Sequence, residues 1–194
     1  GNDLEGIRQG CFYLEDLMNL REAPFLEKCN VFREPVFTPR MVHSGWGLDQ
    51  FPDTHLNSIT HAGFDSILVF VKGVDKTTHG HMDFNELIDR CEKYGLGLYF
   101  YSYLESYKSP FDSDAEEFFD RVYGSVFKAS PKAKGLILVG ESCCFPTTDE
   151  RANPLPPGKT KAGIADPRPR SGWFPCRDYP DWLNAVKKAV RKYS

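Results

Sequence analysis

The chain has 194 residues, with 24 lysines and arginines against 27 aspartates and glutamates, 41% hydrophobic and 14% aromatic. That composition belongs to an ordinary folded domain and excludes a disordered tail or a collagen-like fibre. A formal net charge of -3 gives no basic field for a nucleic-acid backbone or an anionic membrane, both of which need clustered Lys and Arg, so neither partner is expected. No apolar run reaches the roughly 18 to 20 residues that span a bilayer, and the opening GNDLEGIRQG lacks the basic and apolar regions of a signal peptide.

The first periodic segment is GCFYLEDLMNLR at 10–21, with Leu14, Leu17 and Met18 at helical spacing and Pro24 closing the run. PVFTPRMVHS follows, in which Val36, Phe37, Met41 and Val42 predict a strand interrupted by Pro39. Pro52 and Gly63 bracket a helix with Leu56 and Ile59 on one side. Ser66 to Val71 (SILVFV) then reads as a strand buried on both faces. Asp83 and Glu86 form a D-x-x-E start, Phe84, Leu87, Ile88 and Cys91 fall at i, i+3, i+4 and i+7, and Gly95 closes that helix. Leu96 to Leu104 predicts the third strand. A helix follows over about 113–129, with Ala115, Phe118, Phe119, Val122 and Val126 inward. Gly135 to Val139 (GLILV) predicts the fourth strand, a Pro-, Gly- and Arg-rich loop runs over 145–179, and a helix over 180–193 ends the chain.

Four strands, each followed by a helix and with no hairpin dipeptides between them, predict parallel pairing with right-handed crossovers. A doubly wound sheet and a (β/α)₈ barrel both begin this way. The barrel is favoured because polar groups follow every strand: His43, Ser44 and Trp46, then Lys72 and Asp75, then Tyr103 and Glu105, then Glu141 and Ser142. Barrel enzymes build their sites on that rim. No glycine-rich phosphate loop follows any strand, which disfavours a nucleotide site, and no cofactor is expected.

The six cysteines, at 11, 29, 91, 143, 144 and 176, lack C-x-x-C spacing, and adjacent Cys143 and Cys144 can bridge only through a strained ring. Free thiols are expected, which favours a cytoplasmic setting, and Cys91 is expected to be a small buried hydrophobe. Cys144 and Cys176 flank one loop and form the alternative pairing. His79 and His81 read as solvated loop residues, since no third ligand is spaced to join them, and no metal is expected.

Glu141 is the strongest candidate for chemistry. It directly follows GLILVG, so its carboxyl is expected at the dry rim of the sheet, where burial raises a pKa. A protonated carboxylic acid is what glycosidic cleavage needs, because the leaving oxygen must receive a proton. The structural alternative is pairing with Arg168, Arg170 or Arg177. Trp46, Tyr101, Tyr103, Trp173 and Phe174 offer flat faces on which sugar C–H surfaces stack, and Arg40 and Lys72 can bind hydroxyls or a carboxylate. Alternation puts Tyr99, Tyr101 and Tyr103 on one face, where core packing is the competing role for Tyr101.

The segments GCFYLEDLMNL, PVFTPRMVHSG, AGFDSILVFV and DFNELIDRCEKYGLGLYFYSYL resemble the entry into the catalytic barrel of glycoside hydrolases related to family 20 β-N-acetylhexosaminidases and family 67 α-glucuronidases. The resemblance implies a carbohydrate substrate, a sugar-binding arginine at Arg40 and a general acid at Glu141, with His43, Trp46, Lys72, Tyr103, Glu105 and Trp173 lining the subsite. Family 20 has Asp-Glu where this chain has Gly140-Glu141, which argues against acetamido-assisted catalysis and toward the glucuronidase side. It further implies that residues 1–34 end a preceding accessory domain and that 35–194 are the first half of a (β/α)₈ barrel, since a whole barrel takes about 250 residues. Such a half is expected to be inactive alone and to self-associate through its open sheet edges. Two other classes compete: a non-catalytic carbohydrate-binding or scaffold module, and a doubly wound α/β domain binding a small anion.

Overall fold

The computed structural model describes residues 1–43, 45, 50–104, 107–138, 147, 149 and 177–194. Along the chain run α1 (Leu4–Arg21), β1 (Met41–His43), α2 (Asp53–His61), β2 (Ser66–Val71), β3 (Lys76–Thr77), β4 (Gly80–His81), α3 (Phe84–Lys93), β5 (Gly97–Ser102), α4 (Ala115–Phe119), α5 (Ser125–Ala129), β6 (Gly135–Ile137) and α6 (Tyr179–Val190). The main sheet has the order β1-β2-β5-β6, and every pair in it is parallel. Strand neighbours thus follow chain order, with no reversal among the described strands. A doubly wound domain needs such a reversal to form its ligand crevice.

Alternation along the strands divides the sheet into two unlike faces. Ile67, Val69 and Val71 of β2 and Leu98 and Phe100 of β5 join one core with Leu56 and Ile59 of α2, Leu87, Ile88 and Cys91 of α3, Phe118 and Phe119 of α4, and Trp182 and Val186 of α6. Phe100 is its centre, with ring contacts to Phe84 at 4.9 Å and Phe127 at 5.6 Å. Phe70, Tyr99 and Tyr101 occupy the alternate positions and point away from the helices, so the helices share a single sheet face.

The local signals explain most element ends. Asp83 caps α3 by accepting from the Glu86 N–H at 3.0 Å. Gly95, at φ 65, takes the left-handed turn that a side chain resists. β1 is shorter than the predicted strand. Val36 is 97% exposed, and pairing with β2 begins only at Met41 against Ser66. α1 begins earlier than its periodicity predicts, because Asp3 caps it by accepting from the Gly6 N–H at 2.7 Å.

Two features depart from the simple strand–helix alternation. A two-residue hairpin, β3–β4, is inserted between β2 and α3. The helix predicted over 113–129 contains a π-helical segment, Asp120–Gly124, between α4 and α5. The wider turn buries Tyr123 against Trp182 at 6.3 Å, and at Gly124 an added Cβ would meet Tyr193 at 2.9 Å. Phe100→Ala is expected to cost about 3–5 kcal/mol in urea unfolding through lost burial and a cavity. Tyr99→Ala, on the other face, should cost much less; equal losses would contradict the one-sided core.

Candidate functional site

Strands in a parallel sheet all end on one side, and the residues leaving those ends are the ones a ligand can meet. Here that end carries His43, Lys72 and Tyr103. The β2–β5 register sets Phe70 beside Tyr101, and both lie on the face turned from the helices. Their rings meet edge to face, with centroids 5.0 Å apart at 85°. Tyr103 continues the wall, 5.3 Å from Phe70 and 5.8 Å from Tyr101, and its N–H is held by the Val71 carbonyl at 2.9 Å. His43 adds a fourth ring, 6.0 Å from Phe70 and 6.3 Å from Tyr101. The result is a contiguous aromatic wall across three strands, built of flat apolar faces with polar edges.

Two cationic groups predicted for one site are separated by the length of the sheet. Lys72 leaves the C-terminal end of β2; it is exposed, and its amine has no partner among the described residues. Arg40 instead precedes β1, at the opposite end. Its carbonyl accepts from the Asp65 and Ser66 N–H groups at 3.1 and 3.2 Å, and its N–H donates to Asp65 Oδ1 at 2.9 Å. Its guanidinium stands 3.3 Å from Asp65 Oδ2 and 4.0 Å from Glu5. Arg40 clamps the start of β1 to the start of β2 and is not brought together with His43, Lys72 and Tyr103. Asp75, the other polar group after β2, accepts from the Phe84 N–H at 3.1 Å and helps to start α3.

His43 has a defined proton arrangement. The Gly45 backbone N–H donates to His43 Nδ1 at 2.8 Å, so the neutral ring carries its proton on Nε2. Gln50 and Phe51 lead into α2, and their carbonyls accept from the Arg90 guanidinium at 3.1 and 2.6 Å. Arg90 is held in turn by Glu86 at 2.6 Å. Phe51 is buried with φ 41, a strained conformation for an aromatic residue, which those bonds hold in place.

Trp46, Glu105, Glu141 and Trp173 lie outside the described residues, as do Ser44, Ser142, Phe174, Arg168, Arg170, Cys143, Cys144 and Cys176. Arg177 is described, and its N–H donates to Asp149 Oδ2 at 2.6 Å. That bond belongs to a buried clasp which residue spacing gave no means to foresee. Thr147 donates to Asp178 Oδ1, and the Asp149 N–H donates to Thr147 Oγ1 at 3.0 Å. Thr147, Asp149 and Asp178 are each at most 6% exposed. The T-x-D and R-D pairs thus tie together two points of the chain about thirty residues apart, just before α6.

Other groups are spent structurally. Burial pushes the Cys91 thiol up to about 12, which leaves it inert at neutral pH. Cys11 and Cys29 are exposed free thiols. His79 lies between β3 and β4 beside Thr78 Oγ1 at 3.0 Å, and no group of three or more His, Cys, Asp or Glu able to hold a metal occurs among the described residues. A cavity of about 170 Å³ lies between α4 and α6, away from the aromatic wall. Its Lys188 and Lys192 are already paired with Glu116 and Asp120.

Two outcomes are expected. Nitrogen-15 spectra of the neutral His43 ring should show an unprotonated Nδ1, and a protonated one would contradict the Gly45 contact. Thr147→Val should cost about 1–3 kcal/mol in urea unfolding, because it removes a donor from the buried Asp178 carboxylate; an unchanged midpoint would contradict the clasp. Comparison of the chain with family models, with curated proteins and with solved structures finds no match.

Proposed function

We propose that this chain is the first half of a (β/α)₈ glycosidase barrel, and that Glu141 is the general acid that protonates the leaving oxygen of a glycoside. The observation that carries the reading is the aromatic wall of His43, Phe70, Tyr101 and Tyr103 at the C-terminal ends of parallel strands. Strand order that follows chain order, with helices sharing one face, supports a barrel segment over a doubly wound domain. In a barrel, the face bearing Phe70 and Tyr101 is the interior and its upper layer is the floor of the site.

The roles follow from chemistry. Tyr103, with Trp46 and Trp173, stacks on the apolar face of a pyranose ring, while Lys72 binds a hydroxyl or carboxylate substituent. His43, with its proton on Nε2, donates a hydrogen bond to a sugar hydroxyl, and Glu105 accepts one. Arg40 is left out of this set, because its guanidinium serves Asp65 at the other end of the sheet. The second carboxylate that glycoside cleavage requires belongs to four further strand–helix units. Those units would also cover the outer edges of β1 and β6, which pair with no strand among the described residues. Without them, the chain alone is expected to bind sugar weakly, to lack turnover and to associate through those edges.

In the barrel completed by the second half, Glu141→Gln is expected to lower kcat/KM on natural glycosides by about 10²–10⁴. The loss should be far smaller on aryl glycosides whose leaving groups need no proton. Equal rates on natural glycosides before and after the change would remove Glu141 as the acid. If sugar binding survived that result, a non-catalytic carbohydrate-binding module would take the place of the enzyme.

A further inference from the structure

The strand-end wall holds a group whose bonding depends on its own proton. His43 ends β1 and is exposed, with its ring 6.0 Å from Phe70 and 6.3 Å from Tyr101. The Gly45 N–H donates to its Nδ1 at 2.8 Å. A side chain thus accepts from the backbone two residues on, as the oxygen of an asparagine does in an Asx turn. The imidazole differs from that oxygen in one respect. Its Nδ1 has a single lone pair, and a proton that takes it leaves an N–H facing the Gly45 N–H. Gly45 has φ 67, and a Cβ there would meet nothing within 4 Å, so Gly45 has room to move away once it is released.

We propose that His43 is a latch operated by protonation, which sets the pH range over which the strand-end site is formed; its bearing on binding rests on the reading that the wall receives a sugar. The neutral ring accepts from Gly45 at Nδ1 and keeps its Nε2–H for a sugar hydroxyl. The protonated ring takes a proton from solvent onto Nδ1, donates from both nitrogens and releases Gly45. The groups facing the ring are Phe70 of β2 and Tyr101 of β5, with Lys72 and Tyr103 at the same end of the sheet. No carboxylate among the described residues pairs with it. Aromatic faces attract a cation, so the charged ring stays at the wall while its hold on Gly45 is lost. The latch is therefore closed above the range in which a histidine charges and opens as pH falls through that range. Other histidines are bonded differently: His61 faces Glu15 at 3.6 Å, and His79 faces Thr78 Oγ1 at 3.0 Å. A readout specific to His43 separates it from them.

The test follows the His43 ring nitrogens and the Gly45 N–H of the labelled full chain from about pH 8 to about pH 5, the interval in which histidines charge, with circular dichroism to verify an unchanged fold. The Gly45 resonance is expected to move with the same midpoint as His43. In His43→Asn, whose Oδ1 takes the place of Nδ1 and does not titrate, it should keep its bonded position throughout; in His43→Phe it should keep its unbonded one. A neutral oligosaccharide should bind the wild-type chain about fivefold more weakly at the acid end, the worth of one ordinary hydrogen bond, and His43→Asn with no such change. A Gly45 resonance that ignores His43 protonation, or that moves equally in His43→Asn, would overturn the latch, and the wild-type titration alone decides this if a variant fails to fold. Equal sugar affinity at both ends while Gly45 moves would overturn its role in binding. A latch that moves although no sugar binds at any pH would uphold the latch and overturn the sugar reading instead.

Discussion

Six residues of β2 pair in parallel with six of β5, from Ser66 opposite Gly97 to Val71 opposite Ser102, and the remainder of the structure depends on that ladder. Because side chains alternate across a strand, this one register fixes two sets of residues at once. Ile67, Val69, Val71, Leu98 and Phe100 go to the helices; Phe70, Tyr99 and Tyr101 go to the other face. A slip of one residue would send Phe100 out of the core and bring Tyr101 into it, where its hydroxyl would need a partner. The aromatic wall is thus a consequence of the same pairing that builds the core. Tyr103 joins it because its N–H extends the ladder by one more bond to Val71.

The parallel arrangement also separates the two ends of the sheet by role. At the end where strands begin, Asp65 holds Arg40 and Ser66, and α1 docks through Arg8 to the end of α3 at Gly95. Polar groups there bind one another. At the end where strands stop, His43 and Lys72 are exposed beside aromatic rings. The end where strands begin is thus closed by internal bonds, while the end where strands stop leaves His43 and Lys72 open to solvent.

The sequence was legible where the signal is local. SILVFV forms β2 with its predicted bounds, and the D-x-x-E start with its i, i+3, i+4, i+7 stripe gives α3 and its cap. It was illegible where the cause lies far along the chain or in very short elements. The role of Arg40 depends on Asp65, 25 residues away, and on β1 starting only at Met41, whereas the apolar residues from Val36 to Val42 read as one strand with Arg40 inside it. The clasp joining Thr147 to Asp178 spans 31 residues. The β3–β4 hairpin has only two residues per strand, too few for an alternating pattern. In α1, Gly6 and Gly10 obscured the first two turns, which Asp3 nevertheless starts. The π-helical turn at Asp120–Gly124 leaves the 3.6-residue pattern nearly intact, so that pattern marks Phe118, Phe119 and Val126 as inward but not Tyr123, which the wider turn buries.

Whether the strand-end aromatic wall receives a sugar is tested most directly by titrating the isotopically labelled chain with acidic and neutral oligosaccharides and following the backbone and aromatic resonances. Weak, saturable shifts confined to His43, Gly45, Lys72 and the rings of Tyr101 and Tyr103 are expected, reduced at least tenfold in affinity by Tyr103→Ala. Shifts absent from those residues at saturating sugar, or centred on Arg40 and α1, would contradict sugar binding at the wall.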